Sequence, residues 1–362
     1  MVRLEIAFAR ARTQVCVGAG LLPTAEGVLT EAGPLRRALV VSDQTVAPLH
    51  AGPFCEALAR VCPQHKLHLI PEGDGAKSLE QAAAIYDLLA AGRFARDDAL
   101  IALGGGVVSD LTGFVAGTWM RGTRFAVCPT TFEAAVDASI GGKTAVNHPA
   151  GKNLVGVFHQ PWLVLIDPVC LTTLSERDLA AGLAESIKHG AIADPDLLEW
   201  HRANRPQILS RDPATLATLI ERNVRIKGDF VTRDERDQGG VRAALNFGHT
   251  VGHALEAWFQ YQYRHGECVA LGMVVAARLS VRLGLLARAD ADLLTATLEA
   301  FGLPTRLDTL PPPERLVAYI ARDKKASGGR VPFVLLDGLG RTTLRSDVPE
   351  VLLLQTVRTL SA

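Results

Sequence analysis

The chain has 362 residues and balances 38 lysines and arginines against 38 aspartates and glutamates. That length exceeds what one hydrophobic core usually supports and predicts two domains, while the balanced charge excludes an overall field that would attract nucleic acid or an anionic membrane. The six cysteines (Cys16, Cys55, Cys62, Cys128, Cys170, Cys268) form no C-x-x-C pair, which fits a reduced interior rather than a disulfide framework or a thiolate zinc site. No basic segment leads into a long apolar run, and no stretch of about 18 apolar residues suggests a membrane span, so a soluble cytoplasmic protein is expected.

In the first half, short β-branched apolar runs alternate with alanine- and leucine-rich stretches, as strands alternate with helices. Ala38 to Asp43 reads as a strand with an acidic tip. His68 to Ile70 ends before Pro71-Glu72-Gly73-Asp74, and Ser78 to Ala91 is helical. Ala99 to Leu103 is a strand that runs into Gly104-Gly105-Gly106-Val107-Val108-Ser109-Asp110, after which Leu111 to Trp119 reads as a helix. Phe125 to Cys128 ends at Pro129, and Leu163 to Asp167 is the last strand of a parallel sheet, whose carboxyl edge is where such sheets bind ligands. From about Leu171 the pattern is helical: Glu176 to Ile192, Pro213 to Arg233, His249 to Phe259 and Gly266 to Leu283. The apolar run before Asp337-Gly338 predicts a hairpin. The expected architecture is an α/β nucleotide-binding domain over 1–168 and a mainly α-helical, metal-binding domain over 169–362, with a ligand cleft at the boundary.

The glycine triplet, between a strand and a helix, would let a backbone approach a pyrophosphate at a helix N-terminus. It does not match G-x-G-x-x-G, and glycine also serves plain turn geometry. Asp43 could accept from a ribose hydroxyl or simply cap a turn. Gly142-Lys143-Thr144 looks like the end of a P-loop, but Asp137 stands where the first glycine is required, which excludes the ATPase reading. What remains there is a glycine-rich loop through Lys143, Asn147, Lys152 and Asn153, suited to a phosphate and sugar hydroxyls.

His249 and His253 stand i,i+4 on one predicted helix face and could converge on one ion, with His265 closing the site; the plainer reading is two surface histidines and an unrelated loop histidine. Glu185 and Lys188 are i,i+3 neighbours flanked by Leu183, Ala184 and Ile187. A partly buried carboxylate there needs a cation or metal, which makes Glu185 a candidate third ligand. Arg225, Lys227, Arg242 and Asn246 precede the histidines, and Asp323-Lys324-Lys325 lies near the predicted hairpin. Together they offer cations for a substrate carrying phosphate and carboxylate.

These segments resemble the 3-dehydroquinate synthases, which are sugar-phosphate cyclases. The likeness rests on Gly104-Gly105-Gly106-Val107-Val108, Arg121-Gly122, Pro129-Thr130-Thr131, Gly141-Gly142-Lys143-Thr144, Asn147-His148-Pro149, Gly151-Lys152-Asn153, Gln160-Pro161, Gly182-Leu183-Ala184-Glu185, Asp234-Glu235-Arg236, and Leu245 through Gly266-Glu267. The resemblance implies NAD, a divalent metal (Zn2+ or Co2+), a sugar-phosphate substrate and a homodimer. It implies Glu185, His249 and His265 as metal ligands and His253 facing substrate. Asp137, Lys143, Asn153, Lys188, Lys227, Arg242, Asn246 and the Lys324-Lys325 step would surround substrate, with Arg121 reaching across the dimer to the phosphate. Asp43, Asp74, Lys77, Gly105, Gly106, Val107, Asp110, Thr130, Thr131, Lys143, Lys152 and Thr173 would take the NAD side.

Departures from the family pattern are Ser109 for glycine, Asp74 and Asp237 for glutamate, Ser175 for proline, and Phe132-Glu133-Ala134-Ala135 for a Leu-Leu-Ala-Gln-like stretch. The implied reaction converts 3-deoxy-D-arabino-heptulosonate 7-phosphate to 3-dehydroquinate and phosphate with no net oxidation. Competing readings are a cyclase for a different sugar phosphate, a metal-dependent polyol dehydrogenase, and a non-catalytic NAD-binding relative.

Overall fold

The structure, a computed structural model, describes residues 1–260, 262–323 and 331–361. Lys324 and Lys325 lie outside the described residues. By its internal contacts the chain forms two compact units, Met1–Leu174 with Arg211–Arg236, and Ser175–Ser210 with Asp237–Ala362.

The first unit is built on the strands β1 (Val2–Ala7), β2 (Arg12–Val17), β3 (Arg37–Asp43), β4 (Gln64–Ile70), β5 (Ala99–Gly104), β6 (Arg124–Pro129), β7 (Lys143–His148), β8 (Gly151–Phe158) and β9 (Leu163–Ile166). Seven of these form one sheet in the order β1-β2-β9-β6-β5-β3-β4. The pair β1-β2 is antiparallel and every other neighbour parallel, so the carboxyl ends of β2, β9, β6, β5, β3 and β4 share one edge. Helices α1 (Glu26–Glu31), α2 (Ala47–Ala59), α3 (Leu79–Ala91) and α4 (Gly106–Thr118) connect them. The central strands read as continuous apolar runs because both faces are covered: Ala99 through Gly104 are all buried. Leaving β3, the chain moves outward to β4, and leaving β5 it moves the other way to β6. Asp43 and the Gly104–Gly106 turn therefore flank the point where strand order reverses, the usual ligand crevice of such sheets.

Three features depart from the sequence-based expectations. Strands β1 and β2 extend the sheet, β2 pairing with β9 from Gln14↔Leu163 to Val17↔Ile166, a partnership no local pattern announces. The segment expected as a glycine-rich loop is instead the antiparallel hairpin β7–β8. It seats against α4 because Gly113 has no side chain; a Cβ there would collide with Thr144 Cγ2 and the ring of Phe125. The long helix Pro213–Arg233, which the sequence groups with the helical half, belongs to this first unit and packs Gly228 against Ile6.

The second unit contains α5 (Glu176–Ala193), α6 (Pro195–Ala203) and α7 (Arg205–Leu209). The helix already given, Pro213–Arg233, is α8. The second unit continues with α9 (His249–Trp258), α10 (His265–Arg282), α11 (Arg288–Ala300), α12 (Pro313–Asp323), β10 (Phe333–Leu336), β11 (Thr342–Arg345) and α13 (Glu350–Arg358). The expected hairpin is β10–β11, registered from Phe333↔Arg345 to Leu336↔Thr342 and anchored by Leu336 N–H donating to Ser280 Oγ at 3.0 Å. Helix α5 is capped at its start by Ser175, whose Oγ accepts from Asp178 N–H, and is buried at nearly every position from Leu179 to Ile192.

Helices α9, α10 and α5 approach one another closely through glycine. A Cβ on Gly272 would fall on the Gly248 carbonyl oxygen, one on Gly252 would sit 3.1 Å from the Cys268 carbonyl oxygen, and one on Gly266 would fall on the Ala181 carbonyl oxygen. Replacing Gly272 by alanine is expected to cost about 2–3 kcal/mol through overpacking. Gly27→Ala, where the added methyl meets nothing within 4 Å, should leave stability unchanged or slightly raised. Urea-denaturation midpoints of the two variants test the contrast.

Candidate functional site

Those glycine contacts bring three polar side chains together. Glu185 lies on α5 one turn after Ala181, His249 opens α9 directly after Gly248 (φ 82°), and His265 opens α10 directly before Gly266. Each offers one ligand atom, and all three atoms lie within 4.8 Å of one another. Glu185 Oε1 stands 3.6 Å from His249 Nε2 and 3.7 Å from His265 Nε2. A tetrahedral ion with bonds of about 2.0–2.2 Å holds its donors roughly 3.3–3.6 Å apart, so the triangle has the right size.

The other atoms of the same side chains are used in a way that aims these donors. His249 Nδ1 faces the Phe247 carbonyl at 3.2 Å, and His265 Nδ1 faces Glu256 Oε1 at 3.1 Å. Each contact favours the proton on Nδ1 and leaves Nε2 as a lone-pair donor. Glu185 Oε2 accepts from Lys188, whereas the buried Oε1 has no hydrogen-bond partner among the described residues. A buried carboxylate oxygen with no donor is costly, and a metal ion would satisfy it.

Electrostatics prepare the same state. Burial alone would raise the Glu185 pKa, but the Lys188 ammonium holds it well below the usual carboxylate range. His249 is pushed well below the ordinary histidine value by burial and then by Lys188. An anionic carboxylate beside a neutral imidazole is what a divalent cation requires, since no proton must first be displaced.

His253 is exposed, its ring 5.3 Å from that of His249 and 6.0 Å from that of His265. All three clustered histidines therefore gather, as the spacing suggests, while the carboxylate comes from a different helix. Glu256, one turn beyond His253, escaped sequence reasoning. Its i,i+3 spacing from His253 was the available signal; its burial (8% exposed) is set by the fold.

In the first unit, the carboxyl edge of the sheet collects the residues expected on the nucleotide side. Helix α4 starts at Gly106 with no side-chain cap, and a Cβ on Gly105 would press to 3.0 Å from Thr131 Cγ2. Thr130 N–H donates to the Gly104 carbonyl, yet its buried Oγ1 lacks a hydrogen-bond partner among the described residues. Lys77 Nζ pairs with Asp110 Oδ2 at 2.8 Å; burial raises the Asp110 pKa, and Lys77 opposes the rise. Lys152 Nζ lies 3.2 Å from Asp74 Oδ2, which also accepts from Asn147 Nδ2 at 3.0 Å. Asn147 Oδ1 in turn accepts from Asn153 N–H, where Asn153 adopts φ 56°. The uncapped helix, bare glycine backbone and orphaned hydroxyl fit a dinucleotide phosphate.

Asp43 Oδ1 accepts from Thr45 and Val46 N–H, which holds the turn that leads into α2. Thr173 Oγ1 contacts His50 Nε2 at 3.2 Å. Lys227 on α8 pairs with Asp137, Nζ to Oδ1 2.5 Å, and also donates to the Asp137 carbonyl. Arg121 and Lys143 are exposed, the former at φ 64°. In the second unit Arg242 is buried in the 3-10 turn Val241–Asn246, and Asn246 is exposed.

Comparison with solved structures gives the class. A 2-epi-5-epi-valiolone synthase from Streptomyces hygroscopicus, with NAD+ and Zn2+ bound, superposes with a TM-score of 0.87 at 28% identity, covering 99% of this chain and 98% of that one. A 2-deoxy-scyllo-inosose synthase complexed with carbaglucose-6-phosphate, NAD+ and Co2+ superposes at 0.89 and 25% identity, covering 99% and 100%. A probable glycerol dehydrogenase from Sinorhizobium meliloti shares the fold at 0.66 and 17% identity. The chain thus has the fold of the cyclases.

Sequence comparison narrows this. Residues 67–181 match the 3-dehydroquinate synthase N-terminal family and residues 182–326 the 3-dehydroquinate synthase C-terminal family. The 3-dehydroquinate synthase of Halorhodospira halophila is 45% identical over 340 residues, 93% of this chain and 94% of that protein. That of Sinorhizobium medicae is 42% identical over 354 residues, 96% and 93%. The chain belongs to the 3-dehydroquinate synthase family, as its motifs suggested.

The buried Glu185–Lys188 pair gives a stability test. Glu185→Leu or Lys188→Met alone should cost about 3–5 kcal/mol, because each strands the other charge, while the double variant should cost less than either prediction summed. Additive costs in urea titrations of metal-free protein would mean that the pair is not coupled.

Proposed function

We propose that this protein is the 3-dehydroquinate synthase of the shikimate pathway, converting 3-deoxy-D-arabino-heptulosonate 7-phosphate to 3-dehydroquinate and inorganic phosphate. The observation that supports it most is the orphaned Glu185 Oε1 facing two imidazole Nε2 atoms, in a chain 45% identical to a 3-dehydroquinate synthase over 93% of its length. Glu185, His249 and His265 would hold a divalent metal, Zn2+ or Co2+, and the β3, β5 and β6 tips would hold NAD. When bound, NAD supplies a reversible hydride acceptor and the metal a Lewis acid for the hydroxyl being oxidised.

The chain's own residues then bind, orient and move protons. His253 takes up the C5 hydroxyl proton on its imidazole. Once C5 is a ketone the C6 proton is acidic, the substrate phosphate can itself receive it, and phosphate leaves. C5 is reduced again, the ring opens and an internal aldol closes the carbocycle. Lys143, Asn153, Lys227 and the Lys324-Lys325 step are assigned to phosphate and hydroxyl groups, Arg242 and Asn246 to the carboxylate. Lys188 and Asp137 orient the reacting end, and Arg121 serves the phosphate of a partner protomer in a homodimer. Asp43, Asp74, Lys77, Gly105, Gly106, Val107, Asp110, Thr130, Thr131, Lys143, Lys152 and Thr173 are assigned to NAD.

One feature favours a second reading, a cyclase for another sugar phosphate. Glu133 and Ala135 sit at the start of the π-helical turn Ala134–Ala138 that carries Asp137, where the family has apolar and amide residues. Incubating the protein with the heptulosonate phosphate, NAD and zinc decides between them. Stoichiometric phosphate and dehydroquinate are expected, and no phosphate release with metal confirmed bound would overturn the main reading. Glu185→Ala, His249→Ala and His265→Ala should each empty the metal site by elemental analysis. His253→Ala should retain metal and NAD but lose turnover by about 100-fold or more.

A further inference from the structure

Beside the Glu185 centre, the second unit contains another set of three donors. His253, Glu256 and His265 each offer a ligand atom within 4.8 Å of the others. His253 and Glu256 are i,i+3 neighbours on one face of α9, a spacing at which a carboxylate and an imidazole can chelate one ion. Glu256 is nearly buried, whereas His253 is exposed and gives solvent ions access to the pair. His265 links the two sets, since Nδ1 lies against Glu256 Oε1 at 3.1 Å while Nε2 faces Glu185 Oε1 at 3.7 Å.

We propose a second, weaker transition-metal site on α9, chelated by His253 and Glu256 and bordered by His265, through which excess Zn2+ or Co2+ inhibits the enzyme. The inference rests on the assignment of the first centre to Glu185, His249 and His265. Imidazole with carboxylate selects Zn2+, Co2+, Ni2+ or Cu2+ over Mg2+. The second ion binds more weakly for two reasons. It is repelled by the first dication across a shared histidine, and it must draw Glu256 away from His265 Nδ1. Its effect is direct, because it occupies the His253 imidazole and removes the carboxylate that orients a ligand of the first ion. Turnover should therefore rise with the first equivalent of metal and fall with the second.

Metal-free full-length protein titrated with Zn2+ by equilibrium dialysis and elemental analysis, and with Co2+ by visible absorption, tests this. Two steps per chain are expected. In His253→Ala and in Glu256→Ala the second step should need at least about tenfold more free metal, with the first step still present. Glu185→Gln should abolish the tight step and leave the weak one. Thermal unfolding of each variant checks that it is folded, and Mg2+ at the same concentrations should produce no second step. A single step in the wild type that disappears in Glu185→Gln overturns this proposal and leaves the first centre standing. A single step that disappears only in His253→Ala overturns the assignment of the first centre and this proposal with it. Two steps with the second unchanged in both α9 variants put the weak ion elsewhere and also overturn the proposal.

Discussion

Close backbone approach among three helices is the constraint on which the candidate metal centre depends. A carboxylate and two imidazoles can share an ion only if their carriers come nearer than ordinary side chains permit, and here Gly248, Gly252, Gly266 and Gly272 remove the side chains that would hold α9, α10 and α5 apart. The donors sit next to the glycines that make the approach possible: His249 follows Gly248, and His265 precedes Gly266. The Gly266 contact falls on Ala181, one helical turn before Glu185. Packing and ligand geometry are therefore one feature, and a methyl group at the contact would move the ligands as well as strain the core.

The same economy of means governs charge. Among the described residues Glu185 is one of the least exposed carboxylates, and it holds a cation through Oε2 while Oε1 has no hydrogen-bond donor there. Lys188 keeps the carboxylate ionised where burial would otherwise protonate it, the two Nδ1 contacts keep the imidazoles aimed, and burial with Lys188 pushes the His249 pKa down. In the first unit a different arrangement would suit an anion. There an uncapped helix, bare glycine backbone and lysines already paired to Asp110, Asp74 and Asp137 hold positive groups in place without an unbalanced field, in keeping with the neutral composition.

Much of this was legible in the chain. Element types came through because they rest on local periodicity: the predicted helix Pro213–Arg233 has those bounds in the structure, the Asp337-Gly338 hairpin is present, and the strands expected over Ala38–Asp43, Ala99–Leu103 and Phe125–Cys128 fall within β3, β5 and β6. The hairpin Lys143–Phe158 was read as a loop because its exposed strand is rich in lysine, asparagine and glycine, and its buried face is short. Its extended form depends on pairing between β7 and β8 and on space left by Gly113, neither of which a window of sequence contains. Glu256 was missed for a related reason: a lone glutamate in a helix reads as a solvated charge until its neighbour on another helix is known.

The sequence by itself determined the kinds of elements, the donor chemistry and, through its motifs, the family, because these follow from residue types and short-range spacing. Tertiary structure decided which atoms act together. Pairing of the histidines could be read as His249 with His253 from the i,i+4 spacing, but the folded chain sets His249 and His265 against Glu185 and leaves His253 at the surface. It also takes α8 out of the helical half and gives Lys227 to Asp137 in the α/β unit. Both outcomes depend on contacts between segments far apart in sequence, formed where glycine allows backbones to meet, and local periodicity carries no record of them.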